Sequence, residues 1–153
     1  MDARPPERRR IGELLRNPNA ERMRHVERGF AAAGHADLRP PHFPILEYID
    51  RERGSRVSYL AAHANITTQA MGELVTYLEA RGYVERAPDP ADGRAKLVRL
   101  TPRGHDAYTI ATRLVSELEA TWASYIGEER MQALKHLLAD LWDEIERRRE
   151  PHA

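Results

Sequence analysis

The 153-residue chain contains no cysteine. That excludes disulfides, thiol-based peroxide sensing and thiolate metal sites, so any switch in this protein must use another chemistry. No apolar run approaches the roughly 18 residues of a membrane span, and the arginine-rich start lacks the apolar core of a signal peptide. A soluble, cytoplasmic protein with no membrane partner is the expectation. Charge of one sign is also missing, because 24 basic and 24 acidic residues cancel. A general, salt-driven coat on nucleic acid is therefore disfavoured.

Catalytic motifs are absent as well. The seven histidines, His25, His35, His42, His63, His105, His136 and His152, form no His-x-x-x-His pair, and His-Glu-x-x-His does not occur. Gly-rich phosphate loops and Gly-x-Ser-x-Gly are missing too, which leaves hydrolase and nucleotide-binding readings without a motif. The chain is expected not to be an enzyme and to carry no cofactor and no metal.

What is present is concentrated between Val57 and Arg103. Arg56 to His63 reads as a short helix, with Ser55 available as an N-cap acceptor. Asn65 sits where the chain must turn sharply and tolerates positive φ better than most residues. Thr67 can cap a second helix, Thr68 to Arg81, whose Met71, Leu74, Val75 and Leu78 form one buried stripe at i, i+3, i+4 and i+7. The opposite face carries Gln69, Gly72, Glu73 and Thr76. Hydrogen-bonding side chains with one glycine among them suit a helix in a major groove, where base edges offer donors and acceptors. A solvated outer face is the plain alternative.

Gly82 ends that helix. Tyr83 to Arg86 reads as a strand; Pro88, Pro90 and Asp92-Gly93 supply turn chemistry; Lys96 to Leu100 reads as a second strand. The two strands make a wing with Arg94 at its tip and Lys96 just behind. An arginine on a projecting hairpin suits a narrow minor groove, whose negative potential attracts it. Asp89 or Asp92 can hold Arg94 by a charge-assisted hydrogen bond. Glu73 is the exception on the groove face: it either accepts from a cytosine amino group or pairs with an arginine such as Arg56. Between Ser55 and Arg103 seven basic residues stand against five acidic ones, a modest excess that can bind phosphates if the acids face away.

The run Leu78-Glu79-Ala80-Arg81-Gly82-Tyr83-Val84-Glu85-Arg86, followed by Asp92-Gly93-Arg94 and by Leu100-Thr101-Pro102-Arg103-Gly104, resembles the MarR (multiple antibiotic resistance regulator) family of bacterial transcription factors. The likeness is strongest over about residues 55 to 104. It implies a homodimeric, ligand-responsive repressor bound to a pseudo-palindromic double-stranded operator. On that pattern Arg94 is the wing arginine, Asp92 its orienting partner, and Thr67, Thr68, Gln69 and Thr76 meet bases or phosphates. Gly72, Glu73, Arg86 and Lys96 complete the expected DNA-binding set.

The flanking segments read as helices. Glu21 to Ala33, ended by Gly34, is one; another starts in Pro40 to Pro44 and continues through Ile49, since prolines are tolerated in a first turn. Thr101 and Pro102 open a long helix with Ala107, Ile110 or Ala111, Leu114, Leu118, Trp122 and Tyr125 along one stripe. Gly127 breaks it before a second stripe of Met131, Leu134, Leu137, Leu138, Leu141 and Ile145. One small winged domain cannot bury both, so dimerisation through the terminal helices is expected, with an intramolecular helical hairpin as the alternative.

The fold class is therefore mostly α with a small β-wing. Its expected parts are a flexible arginine-rich arm (1–18), an N-terminal dimerisation helix (19–38), a winged helix-turn-helix (39–104), C-terminal dimerisation helices (105–148) and a tail (149–153). The resemblance also implies a small-ligand site between the dimerisation helices and the winged domain. His25, Phe30, His42, Phe43 and Tyr48 are the candidates for it. Aromatic walls with imidazole donors suit a small aromatic acid or phenol, and ordinary core is the alternative. From other classes, a winged-helix protein-protein interaction module without DNA binding is the main rival. An enzyme built in the helical half has only the histidines in its favour.

Overall fold

The computed structural model describes residues 9–149. The arm's Arg4, Arg8, Pro5 and Pro6 and nearly all of the tail lie outside the described residues. The chain divides into two compact units, residues 1–115 and 116–153.

In the first unit, helix α1 covers Ile11–Ala32. It is longer than the expected Glu21–Ala33 and takes up the second half of the expected arm. Its first turn is set by the amides of Glu13 and Leu14, which donate to the Arg10 carbonyl at 2.9 and 3.2 Å. Pro18 sits inside the helix. A proline there removes one donor from the ladder, and the helix runs through it. Gly34, at φ +88°, ends the helix as expected.

A 3-10 turn at Pro40–His42 leads into α2 (Phe43–Tyr48), then α3 (Val57–Ala64) and α4 (Thr68–Ala80). Asn65, between α3 and α4, takes the left-handed conformation at φ 55°. Thr67 Oγ1 accepts from the Ala70 amide at 3.1 Å and so caps α4. Met71, Val75 and Leu78 are fully buried and Leu74 packs against the same core. Gly82, at φ +73°, lets the amides of Gly82 and Tyr83 return to the carbonyls of Glu79 and Leu78.

Strands β1 (Val84–Asp89) and β2 (Asp92–Leu100) form the antiparallel wing, with Val84 opposite Leu100 and Pro88 opposite Lys96. β2 begins four residues before the expected Lys96, because Asp92 pairs with Asp89 across an irregularity that absorbs Gly93, Arg94 and Ala95. Ser55 is not the helix cap. It bridges Val98, exchanging backbone hydrogen bonds of 2.9 and 2.8 Å, while its Oγ accepts from the Asp50 amide. Pairing with β2 is a long-range contact that no local pattern encodes.

Thr101 Oγ1 accepts from the Gly104 amide at 3.1 Å and caps α5 (Pro102–Ile126). Gly104 is required by close approach: a Cβ there would run into the Tyr83 carbonyl oxygen. A Cβ on Gly29 of α1 would likewise meet the Leu114 side chain of α5. The core of this unit gathers Phe30, Leu38, Ile45, Leu60, Met71, Val75, Leu78, Tyr83 and Val98.

The second unit holds the end of α5 and α6 (Glu128–Arg149), separated by Gly127 at φ +93°. Leu118, Ala123 and Met131 are buried. Most of the α6 stripe is not: Leu134, Leu137, Leu138, Leu141 and Ile145 are exposed, as are Trp142 and Tyr125.

Candidate nucleic-acid interface

The site starts with α4. Its cap and its buried stripe fix which residues face out, and Thr67, Thr68, Gln69, Glu73 and Thr76 are exposed while Gly72 is half-buried. A Cβ at Gly72 would meet nothing within 4 Å, so no contact inside the chain requires a glycine there. Glu73 has no hydrogen bond or ion pair among the described residues, and Arg56, one of the two alternatives for it, is engaged elsewhere.

Arg56 is tied to the wing. Its Nε and Nη2 donate to Asp89 Oδ2 at 2.9 and 2.6 Å, and Nη2 lies 3.6 Å from Asp92 Oδ2. The Ala91 amide and the Arg56 guanidinium together hold the buried Asp89 carboxyl below the usual carboxylate range. These two acids thus clamp the residue before α3 to the wing. They do not grip the Arg94 side chain, contrary to the expectation; Asp92 Oδ1 accepts only the Arg94 backbone amide, at 3.2 Å. The Arg94 guanidinium and the exposed Lys96 have no side-chain partner among the described residues. A carboxylate that can accept two donors from a guanidinium satisfies the nearer arginine, and only the folded chain shows that Arg56 is nearer.

Arg86 is half-buried and already committed. Its guanidinium binds Glu79 and donates to Thr76 Oγ1 at 3.1 Å, and its amide donates to Glu79 Oε1 at 3.2 Å. The Thr76 hydroxyl in turn donates to the Gly72 carbonyl at 2.9 Å.

A polar network that the motifs gave no sign of joins the segment after α1 to the start of α5. Tyr83, fully buried, donates its hydroxyl to Asp37 Oδ1 at 2.6 Å. Arg103 donates to that hydroxyl at 3.0 Å and to Asp37 Oδ2 at 3.3 Å, with its guanidinium over the Tyr83 ring. The buried His35 spans Tyr83 Oη and Asp106 Oδ2, each at 2.9 Å. Burial and the Asp37 carboxylate push the Tyr83 hydroxyl up to about 12. Burial opposes the charge on Asp37, yet the Tyr83 hydroxyl, its backbone and Arg103 outweigh it and hold that carboxyl below its ordinary value. The signals available were His35 beside a helix-ending glycine and an aspartate two residues on, which are too common to single out.

The five candidate ligand residues have different surroundings. Phe30 and Phe43 are buried in ring contact, with centroids 5.4 Å apart. His42 is stacked on Tyr77 at 4.3 Å, its Nδ1 accepts the Arg39 amide, and burial lowers its pKa. Tyr48 lies beside His63, centroids 5.6 Å apart, and burial followed by Glu47 raises its pKa. His25 differs: its Nε2 is buried without a hydrogen-bond partner among the described residues. An open cleft of about 600 Å³ lies elsewhere, lined by Asp50, Gly54, Ser55, Arg56, Ser58 and Tyr59. Among the described residues no cluster of His, Asp and Glu could hold a metal ion, and no helix is long and apolar enough to cross a membrane.

Two short helices about a left-handed Asn65, a polar outer face on the second and a hairpin carrying two cations without side-chain partners among the described residues define a winged helix-turn-helix fold. Residues 36–95 match the profile of the MarR family. The chain is 29% identical over 131 residues to the HTH-type transcriptional repressor Rv2887 of Mycobacterium tuberculosis, covering 86% of this chain and 92% of that one. Its fold is similar to that of the transcriptional repressor CouR bound to a 23-mer DNA duplex, with a TM-score of 0.71 and 23% identity over 86% of this chain and 92% of that one. The Mycobacterium tuberculosis MarR family protein Rv2887 in complex with salicylic acid gives a TM-score of 0.65 and 27% identity over 87% and 96% of the two chains.

Proposed function

We propose that the chain is a homodimeric transcriptional repressor that places α4 in the major groove of a pseudo-palindromic operator and Arg94 of the wing in the adjacent minor groove. The observation that carries this reading is the pairing of an exposed polar face on α4 with two cations on the wing that have no partner among the described residues. Thr67, Thr68, Gln69, Gly72, Glu73 and Thr76 supply the helix face. Arg94 and Lys96 supply the wing's positive charge, and Asp92 orients Arg94 through its backbone. Two-fold symmetry sets the two copies of α4 about 34–36 Å apart, one turn of DNA.

Dimerisation uses the exposed apolar residues of α6, where Leu137 is 67% exposed, together with Ile11, Leu14 and Leu15 of α1. A surface so apolar on a water-facing helix is a partner surface. An effector of the small aromatic acid or phenol class relieves repression, in keeping with the salicylic acid bound by the relative. His25, with its unpaired Nε2, is the strongest of the five candidates for the polar contact.

The test is fluorescence anisotropy on a duplex from the protein's own upstream region at several salt concentrations, with Arg94→Ala beside the wild type. Tight, competitor-resistant binding that Arg94→Ala weakens supports the reading. Equal, sequence-indifferent binding by both proteins overturns it.

A further inference from the structure

Arg86 carries a conflict between its sequence and its surroundings. An arginine on the first strand of a wing next to a recognition helix reads as a phosphate contact. The hydrogen bonds its side chain makes among the described residues, however, all go to α4. The backbone amide reaches Glu79 Oε1 at 3.2 Å, the guanidinium binds the other oxygen of the same carboxylate, and Nη2 donates to Thr76 Oγ1 at 3.1 Å and to the Gly72 carbonyl at 3.4 Å. Residues 72, 76 and 79 follow one another along a single line of the helix, at i, i+4 and i+7. One side chain therefore holds nearly two turns of α4 against β1.

From this geometry we infer that Arg86 is a positioning residue for DNA readout: through Glu79 and Thr76 it fixes the rotation of α4 against the wing and contacts no DNA itself. The inference rests on the proposal that α4 and the wing bind an operator. Its physical basis is the rigid guanidinium fork, which can serve a carboxylate, a hydroxyl and a carbonyl at once in one plane; a lysine ammonium cannot reproduce that set. Gln69, Gly72 and Glu73 project from the helix that this fork holds, and Arg94 projects from the hairpin that Arg86 belongs to. A few degrees of roll in α4 change the distance between base contacts and the minor-groove arginine, and with it the match to the operator. Thr76 is drawn into the same device. Its proton goes to the Gly72 carbonyl and its oxygen accepts from Arg86, so what it keeps for a base is mainly its methyl group, which suits a thymine methyl.

The sign of the Glu79 effect separates the two roles. If Arg86 touched phosphate, removing the neighbouring acid would tighten DNA binding, Arg86→Lys would be nearly silent, and Arg86→Ala would lower the salt slope by about one. A positioning role predicts that Glu79→Gln and Arg86→Lys each weaken specific operator binding by roughly tenfold, the loss of one charge-assisted hydrogen bond. Binding to an unrelated duplex and the salt slope stay at wild-type values. The experiment is anisotropy with wild type, Glu79→Gln, Arg86→Lys and Arg86→Ala on the upstream duplex and on a scrambled one, across a salt series. Tighter binding by Glu79→Gln, or a reduced slope in Arg86→Ala, overturns the inference. Amide hydrogen exchange on the free protein reads the brace without DNA, since the Arg86 amide donates to Glu79. Faster exchange at Arg86 in Glu79→Ala than in wild type supports the brace, and unchanged exchange overturns it. A wild type that ignores its own upstream DNA counts against the operator proposal alone, because the exchange result stands apart from it.

Discussion

Helices α4 and α6 carry apolar stripes of the same period, and they end differently. Met71, Val75 and Leu78 of α4 are fully buried within the first unit, whereas Leu134, Leu137, Leu141 and Trp142 of α6 face water. Periodicity alone marks a face as sticky without saying what will stick to it. On α4 the stripe is closed by α3, the wing and the residues around Ile45; on α6 it stays exposed among the described residues. The polar residues differ in the same way. Around α4, Arg56, Tyr83 and Arg103 are held by partners far away in sequence, and Arg86 of the wing is held by α4 itself. Along α6, the ion pairs of Glu144 and Glu146 with Arg147, Arg148 and Arg149 are local and exposed, worth little each. The contacts within the first unit hold a shape, whereas the exposed stripe of α6 is part of the surface proposed for dimerisation.

The comparison breaks most visibly if the α6 stripe is made polar. Leu137→Glu is expected to halve the mass seen by light scattering at micromolar concentration and to abolish tight operator binding, while Leu78→Ala leaves the mass alone and lowers stability by about 2–5 kcal/mol. A variant Leu137→Glu that stays dimeric would show that the exposed stripe is not the contact. Next in size is Gly104→Ala, whose methyl group would collide with the Tyr83 carbonyl. It should lower the thermal midpoint by several degrees or prevent folding, whereas alanine at Gly72, where a Cβ meets nothing within 4 Å, should raise helix stability by up to about 1 kcal/mol and weaken operator binding if the backbone approaches the bases closely. A Gly72→Ala protein with unchanged affinity would place the backbone away from the groove floor.

Arg94→Ala sharpens the comparison at the interface itself. About tenfold weaker operator binding and a salt slope lower by about one are expected, with the thermal midpoint unchanged because the side chain has no partner among the described residues to lose. The smallest effects are those of pH on the first unit. His42 is held below its ordinary pKa by burial, so its contribution is complete above about pH 6.5 and is lost as pH falls through its folded value. Asp37 and Asp89, both held low, add losses at more acid pH, below about 4. Tyr83 acts at the other end: its stabilising neutral form is retained up to about pH 10 and given up as pH rises through about 12. Thermal melts across this range should fall at both ends, and His42→Gln should remove the earliest acid step. A melt profile that is flat down to pH 4 would contradict the part assigned to His42.

The local signals were legible wherever one residue's own conformational preference decided the outcome. Asn65 in the left-handed region, Thr67 capping α4, Gly34, Gly82 and Gly127 ending helices, and Thr101 opening α5 all follow from backbone energetics within four residues. The buried stripe of α4 was legible for the same reason. The start of α1 at Ile11 was not, since a proline at position 18 masks a helix that its apolar residues support. Ser55 was read as a cap because caps are local, yet its position is decided by Val98, 43 places further on.

The amino-acid sequence by itself thus determined most of the elements, their order and their inward faces, because these depend on steric preference and on periods of two and 3.6. Only the tertiary structure decided which charges are spent and which remain. Arg56 and Arg86 look as available as Arg94 along the chain, but folding brings Asp89 to the first and Glu79 to the second and gives the third no acid among the described residues to hold its side chain. Ion pairing needs atoms within about 4 Å, and that proximity is a property of the packed chain.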